Sequence, residues 1–162
     1  MARTAINLGC GPLRFEGEIG VDREPTSAAE VRGDLLNLPF RDGCVDFARL
    51  DHVLEHMPGR LAPLALIETA RVLKPGGTIH VGIPDFAGCC RAYLDEERLG
   101  GKALMMRWFY GSQNHPGEHH QSGWDKETLT DLLKSVGFAE VTVSDDPERS
   151  EGVCIFAEGV KA

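Results

Sequence analysis

Two short β-type runs joined by a glycine-rich turn are the feature that most constrains what this chain can fold into. Residues 5–8 lead directly into Gly9-Cys10-Gly11, and a second run over residues 19–21 ends on the acid Asp22. Glycines after a buried strand let the backbone approach a ligand that a Cβ atom would exclude, although such a pair is also typical of a simple tight turn. An acid at the end of the neighbouring strand can accept hydrogen bonds from both hydroxyls of a ribose. Together the two parts predict a cofactor site on a parallel α/β sheet.

Further segments follow this unit in a fixed order. They are Gly33-Asp34-Leu35, Leu38-Pro39-Phe40, Asp46-Phe47 and Leu73-Lys74-Pro75-Gly76-Gly77. With the glycine turn and Asp22, they resemble the class I S-adenosylmethionine-dependent methyltransferases, in particular the small type 11-like ones. The resemblance covers about residues 6–85 and 124–138. It implies S-adenosyl-L-methionine as the cofactor and a single-domain, doubly wound, Rossmann-like sheet over residues 1–162, mostly parallel, with a C-terminal antiparallel hairpin.

The resemblance also implies which residues contact the cofactor. Carried over position by position, these contacts fall on Asn7, Gly9, Cys10, Gly11, Asp22, Asp34, Leu35 and Asp51. In the family, the acid at the position of Asp34 contacts the adenine amino group, and the apolar residue after it packs on the ring. The alternative for Asp34 is a structural one, because an aspartate at this point can also cap a turn. The chain departs from the family at Asn7, where an acid is usual, and in lacking a third glycine.

The connection between the first two strands is short. Residues 12–18 leave room for one helical turn or none, whereas parallel neighbours normally need a crossover of about a dozen residues. Hydrophobic spacing and turn residues predict the remaining elements. The predicted strands cover residues 31–33, 45–50, 78–83, 141–144 and 153–157, and the predicted helices cover 60–73, 86–99, 102–109 and 125–136.

An aromatic-rich insert separates the fifth strand from the last helix. Residues 86–124 have no counterpart in the minimal fold and hold six of the eleven aromatic residues. Their second half, residues 111–123, is a polar loop that contains His115, His119 and His120. We expect this insert to form a lid over the ligand cleft and to supply the acceptor pocket. The rival interpretation is that its aromatic residues form a dimer interface.

Methyl transfer is an in-line displacement, so alignment of donor and acceptor supplies most of the rate. A histidine near neutral pKa suits the removal of a proton from a hydroxyl acceptor, which makes His52, His119 and His120 the catalytic candidates. Solvated loop histidines are the plain alternative. The spacing of His115, His119 and His120 resembles that of metal ligands, but without a helix or carboxylate partner we expect no metal site. His56 is as readily explained by a role in ordering the turn before Pro58.

Composition limits the possible partners. The net charge of −8 disfavours a broad grip on a nucleic-acid backbone, and no run approaches the apolar length of a membrane span. The five cysteines are scattered without a Cys-x-x-Cys spacing, so we expect reduced thiols. We also expect a cytoplasmic protein that is a monomer or a homodimer.

A methyltransferase for a small-molecule acceptor is therefore the leading interpretation. The first alternative is a protein of the same fold that binds S-adenosylmethionine or its product without turnover. The second is a nicotinamide-dependent oxidoreductase, which is disfavoured because the loop lacks the third glycine of the dinucleotide fingerprint and Asp22 follows too soon.

Overall fold

Seven strands form one sheet in the computed structural model, which describes residues 3–24, 29–95, 101–146 and 153–162. The strands are β1 (Ala5–Leu8), β2 (Glu18–Asp22), β3 (Val31–Arg32), β4 (Val45–Asp51), β5 (Leu73–Pro84), β6 (Phe138–Asp145) and β7 (Cys154–Lys161). Their order is β3-β2-β1-β4-β5-β7-β6. The first five strands run parallel to one another, and β7 runs antiparallel to both β5 and β6. The predicted fold class, with its antiparallel C-terminal hairpin, is confirmed.

Four α-helices accompany the sheet in the described part of the chain. They are α1 (Ala62–Val72), α2 (Phe86–Leu94), α3 (Gly101–Tyr110) and α4 (Lys126–Ser135). The start of α4 is encoded locally, because Asp125 accepts a hydrogen bond from the Thr128 backbone and the Thr128 hydroxyl accepts one from the Asp125 backbone. The last part of the helix predicted over 86–99, part of the loop predicted over 23–30 and the tip of the acidic turn after β6 lie outside the described residues. No described helix has both the length and the apolar character needed to cross a membrane.

The boundary between α1 and β5 differs from the prediction. The helix expected over 60–73 ends at Val72, and β5 begins at Leu73 instead of at Thr78. Leu73 pairs with Val45 on β4, and regular pairing resumes only where Thr78 lies opposite Phe47. The helix thus ends before the Pro-Gly-Gly segment, which lies inside β5, and Leu73 already belongs to the sheet because it pairs with Val45 on β4.

The main core lies between the sheet and the pair α1 and α4, which contact each other. Alternate residues of the central strands, such as Leu50 and Val81, are fully buried there against Leu66 and Leu129. This packing fixes the face of each strand, because side chains alternate between the two sides of a sheet.

The opposite face carries an ionic and aromatic cluster near the first crossover. Residues 9–17 join β1 to β2 without a helix, as the short connection predicts. Arg49, which alternates with the buried residues of β4, pairs with Glu18 at 2.9 Å. Its guanidinium also lies over the rings of Phe15 at 4.5 Å and Phe47 at 5.4 Å. These contacts cover sheet surface next to the abbreviated crossover.

Candidate active site

The glycine turn after β1 uses its two glycines for different reasons. Gly9 has a φ of 66°, and a Cβ atom there would lie 2.7 Å from Cγ2 of Val53. Gly11 has a φ of 51°, but no described atom lies within 4 Å of the place where its Cβ would be. Gly9 is therefore required by packing inside the protein, whereas Gly11 borders open space at the carboxyl edge of the sheet.

Asp22 at the end of β2 shapes this turn. Its Oδ2 accepts a hydrogen bond from the Gly11 backbone N–H, and its Oδ1 accepts one from the Glu24 backbone N–H, each at 2.8 Å. Each carboxylate oxygen retains a further lone pair that could receive a ribose hydroxyl. Asn7 and Cys10 are 3 % and 4 % exposed, so their side chains offer little surface to a ligand.

Asp34 and Leu35 begin a loop wall beside the turn. The Oδ1 of Asp34 accepts a hydrogen bond from the Leu36 backbone N–H at 2.9 Å, which is the turn-capping role given above as the alternative. This bond leaves Oδ2 available for an amino group. Leu35 is half-buried against the core, and Leu38 is buried. The segment is a loop, as predicted, and its apolar residues could flank a flat ring.

An ion pair on α1 holds this wall in place. Glu68 accepts a hydrogen bond from the Leu38 backbone N–H at 2.7 Å and pairs with Arg71 at 2.7 Å. Arg71 also donates to the carbonyl oxygens of Phe40 and Leu38. The hydrogen bond from Arg71 is the main reason that the pKa of Glu68 lies below its ordinary value, and the hydrogen bond to Glu68 raises the pKa of Arg71. The wall is thus connected to α1 through a charged network.

We expect Arg71→Ala to lower the free energy of unfolding by about 1–3 kcal/mol at pH 7, because it leaves the charge of Glu68 without its main partner. The folded-state pKa of Glu68 is lowered, so its contribution is present above the unfolded pKa near 4.5 and is lost as the pH falls through the folded value. Urea unfolding at pH 7 and pH 3.5 should therefore show a smaller pH dependence in Arg71→Ala. Arg14→Ala is the control, since its ion pair with Glu30 is exposed. An unchanged pH dependence in Arg71→Ala would contradict this role.

The end of β4 leads into a group of histidines around one buried acid. His52 adopts a φ of 55°, and its Nδ1 lies 2.7 Å from Oε1 of Glu55. Glu55 is 1 % exposed, and its Oε2 has no hydrogen-bond partner among the described residues. The acid therefore orients His52 through one oxygen and keeps the other unsatisfied in the interior.

The insert brings a third histidine to this group. Nδ1 of His120 lies 2.8 Å from the carbonyl oxygen of Trp108, and the His120 ring is 4.8 Å from that of His56. Burial is the main cause that lowers the pKa of His120 below its ordinary value. His119 has an exposed side chain, while its backbone carbonyl lies 3.3 Å from Nδ1 of His56. Of the predicted catalytic candidates, the fold thus brings His52 and His120 together.

A cleft of about 630 Å³ opens beside these side chains. Its lining residues are His52, His56, Leu104, Arg107, Trp108, Gly111, Ser112, Asn114, Glu118 and His120. The insert is tied to the turn after β4, because the Gln121 backbone donates to the Glu55 carbonyl oxygen and the Ser122 hydroxyl donates to that of Met57. The cleft therefore lies between this turn and the insert.

Two residues near the site, Glu55 and Gly82, were not predicted from the sequence. Glu55 stood inside a segment expected near the cleft, and a single acid between histidines was the signal that could have identified it. Gly82 on β5 left no such signal. A Cβ atom there would lie 2.4 Å from Oδ1 of Asp51, so the absence of a side chain is what admits the Asp51 carboxylate.

Comparison with known proteins relates this arrangement to methyltransferases. A family model described as a methyltransferase domain matches residues 13–81, which begin just after the glycine turn. The demethylmenaquinone methyltransferase of Staphylococcus haemolyticus is 47 % identical over 119 residues, covering 70 % of this chain and 48 % of its own. The chain spans about half the length of the curated demethylmenaquinone methyltransferases that it matches.

Solved structures share the fold over nearly the whole chain. A possible histamine N-methyltransferase of Thermotoga maritima has a TM-score of 0.71 at 24 % identity and covers 98 % of this chain and 82 % of its own. The 1,6-didemethyltoxoflavin-N1-methyltransferase of Burkholderia thailandensis, solved with 1,6-didemethyltoxoflavin and S-adenosylhomocysteine, has a TM-score of 0.66 at 17 % identity and covers 99 % and 72 %. At these identities the likeness shows the fold alone.

Proposed function

Because this chain belongs to the class I S-adenosylmethionine-dependent methyltransferases, we propose that it transfers a methyl group from S-adenosylmethionine to a small-molecule acceptor. One observation carries the proposal. The glycine turn and Asp22 lie at the carboxyl ends of β1 and β2, where the strand order reverses towards β4. Ligands of open α/β sheets bind at this kind of switch point.

The residues around the turn fit a nucleoside. Asp22 is within reach of the open space beside Gly11 because it already holds the Gly11 backbone, and its spare lone pairs suit two ribose hydroxyls. Leu35 supplies apolar surface for a flat base, and Oδ2 of Asp34 can accept a hydrogen bond from an exocyclic amino group. When bound, the sulfonium of S-adenosylmethionine supplies an activated methyl group.

The histidine group supports a role in preparing the acceptor. In the His52–Glu55 pair, Nδ1 of His52 faces the carboxylate, which leaves Nε2 as the basic nitrogen at the wall of the cleft. A base held in this way can take a proton from the acceptor atom as its bond to the methyl group forms. His120 lines the same cleft, and its burial lowers the pKa of the ring below the ordinary value, which favours the neutral form. His119 offers only an exposed side chain, so His52 and His120 are the residues we assign to turnover.

The size of the cleft favours a small acceptor. Its volume falls within the range of about 300–1,000 Å³ that is usual for small-molecule sites. The insert, residues 86–124, would serve as the acceptor wall through α3 and the loop after it. The relative from Staphylococcus haemolyticus is named a demethylmenaquinone methyltransferase, and that name supports a small-molecule acceptor.

Isothermal titration with S-adenosylmethionine, S-adenosylhomocysteine and NAD tests the cofactor, and methyl release against pools of acceptors tests turnover. We expect both adenosyl ligands to bind and NAD not to bind. The antiparallel β7 between β5 and β6 differs from the parallel order of dinucleotide-binding sheets, which supports this expectation. Binding of the adenosyl ligands without methyl release from any pool would instead favour a binding protein of the same fold.

Asp34→Ala tests the assignment of the base. We expect the unaltered protein to prefer S-adenosylhomocysteine over its inosyl analogue, because a site with an acceptor for the amino group loses a hydrogen bond when that group is absent. The substitution should reduce this preference by about 3- to 10-fold, a loss of about 1 kcal/mol. Asp42→Ala, which changes an exposed acid near the far end of the same loop, is the control. Equal affinity of the unaltered protein for both analogues would reject the role of Asp34.

A further inference from the structure

We propose that Glu55, His56 and His120 bind one divalent transition-metal cation, with Zn²⁺ as the best match. One potential ligand atom from each of these side chains lies within 4.8 Å of the other two. Ligand atoms around a tetrahedral zinc ion are about 3.4 Å apart, given zinc–ligand distances near 2.0–2.1 Å. Modest side-chain rotations would therefore close the group around a cation. The histidine spacing for which no metal site was expected involves a different set, His115, His119 and His120, and only His120 belongs to this group.

The hydrogen bonds of the two histidines prepare them as ligands. Nδ1 of His120 is 2.8 Å from the Trp108 carbonyl oxygen, and Nδ1 of His56 is 3.3 Å from that of His119. A carbonyl oxygen can only accept, so in each pair the proton lies on Nδ1 and the lone pair on Nε2. Metal-binding histidines are typically held in this way by a second partner, which fixes the tautomer and the ring orientation.

The buried carboxylate of Glu55 is the strongest evidence for a bound cation. Its carboxylate is almost completely buried, and Oε1 is engaged by His52 while Oε2 has no partner among the residues that the structure describes. An unsatisfied carboxylate oxygen in the interior is costly, and a cation bound to it would remove that cost.

The ligand set determines the class of metal and its use. Two histidines and one glutamate match three-ligand zinc sites, in which a fourth position remains open for water or substrate. His56 and His120 both line the cleft, so the open position would face the acceptor. A hydroxyl oxygen bound there would lose its proton more readily, and His52 could receive that proton. This use rests on the proposed function, whereas binding of the cation does not.

The competing explanation is that the group only fastens the insert to the turn after β4. The hydrogen bonds of Gln121 and Ser122 to that turn already provide such an attachment without the ring nitrogens. Under this explanation, the protein would bind no stoichiometric metal, and removal of one histidine would change stability alone.

Metal content decides between the two. The protein is stripped with chelator, dialysed against Zn²⁺ and analysed by elemental mass spectrometry, with Co²⁺ absorption spectra as an independent readout of the ligand geometry. We expect one Zn²⁺ per chain and an intense visible Co²⁺ band. Glu55→Gln, His56→Ala and His120→Ala should each weaken Zn²⁺ binding at least 10-fold. His115→Ala, an exposed histidine of the same insert, should bind as the unaltered protein does.

Two results would overturn the proposal. One is the absence of stoichiometric Zn²⁺ in the unaltered protein. The other is that Glu55→Gln and His120→Ala bind Zn²⁺ as tightly as the unaltered protein does. If circular dichroism shows that a variant does not fold, ¹⁵N NMR spectra of the unaltered protein take the place of that variant. In these spectra, Zn²⁺ must shift the Nε2 signals of two histidines while their Nδ1 atoms stay protonated. Calorimetry with S-adenosylhomocysteine on the stripped protein keeps the questions separate, because the adenosyl ligand can bind whether or not the metal does.

Discussion

Gly9→Ala is expected to lower the free energy of unfolding by about 2–5 kcal/mol. A non-glycine residue at the φ of 66° costs about 1–2 kcal/mol, and the new methyl group would meet Val53 at 2.7 Å, where overpacking costs a further 1–3 kcal/mol. Val53 is almost buried, so it has little room to move away. Urea unfolding of the purified variant measures the loss.

Gly11→Ala is the matched control for this result. It shares the positive φ, at 51°, but its new methyl group meets no described atom within 4 Å. We expect a loss of only about 1–2 kcal/mol, from the backbone term alone. The double variant Gly9→Ala/Val53→Ala should lose less stability than the sum of the Gly9→Ala and Val53→Ala losses, since it removes the clashing methyl groups. Equal losses in Gly9→Ala and Gly11→Ala, with additive losses in the double variant, would show that packing against Val53 has no role.

Asp22→Ala is expected to weaken S-adenosylhomocysteine binding by on the order of 1–3 kcal/mol, or about 5- to 150-fold. The carboxylate is the acceptor assigned to the ribose hydroxyls, and it also accepts the Gly11 backbone N–H that shapes the turn. Both losses act in the same direction. Isothermal titration calorimetry gives the change in affinity directly.

Asp46→Ala separates this effect from general destabilisation. Asp46 likewise accepts a backbone N–H, from Thr4 at 2.8 Å, and it pairs with Lys74, but it lies near the start of β4, away from the carboxyl edge of the sheet. It should lower stability while leaving the affinity for S-adenosylhomocysteine unchanged. An unaltered affinity in Asp22→Ala would remove Asp22 from the cofactor site.

Much of the fold could be predicted because its signals are local. The strand, the glycine turn and the acid that follow one another over residues 5–22 are encoded within a few residues, and so is the capping box that begins α4 at Asp125. The alternation of apolar residues placed the central strands, and the family resemblance placed them in order. The exact start of β5 was missed because Leu73 joins the sheet only through its pairing with Val45, a partner far away in the sequence.

The sequence by itself determined the class of fold and the glycine turn with its acid. Only the tertiary structure decided which polar groups meet. Nδ1 of His56 lies near the carbonyl oxygen of His119, which is 63 positions away in the chain. Glu55 likewise lies close to His120, which comes from the insert. Gly82 and Asp51 likewise meet only across neighbouring strands. Such encounters depend on how whole elements pack, and no residue pattern within one element records the position of another.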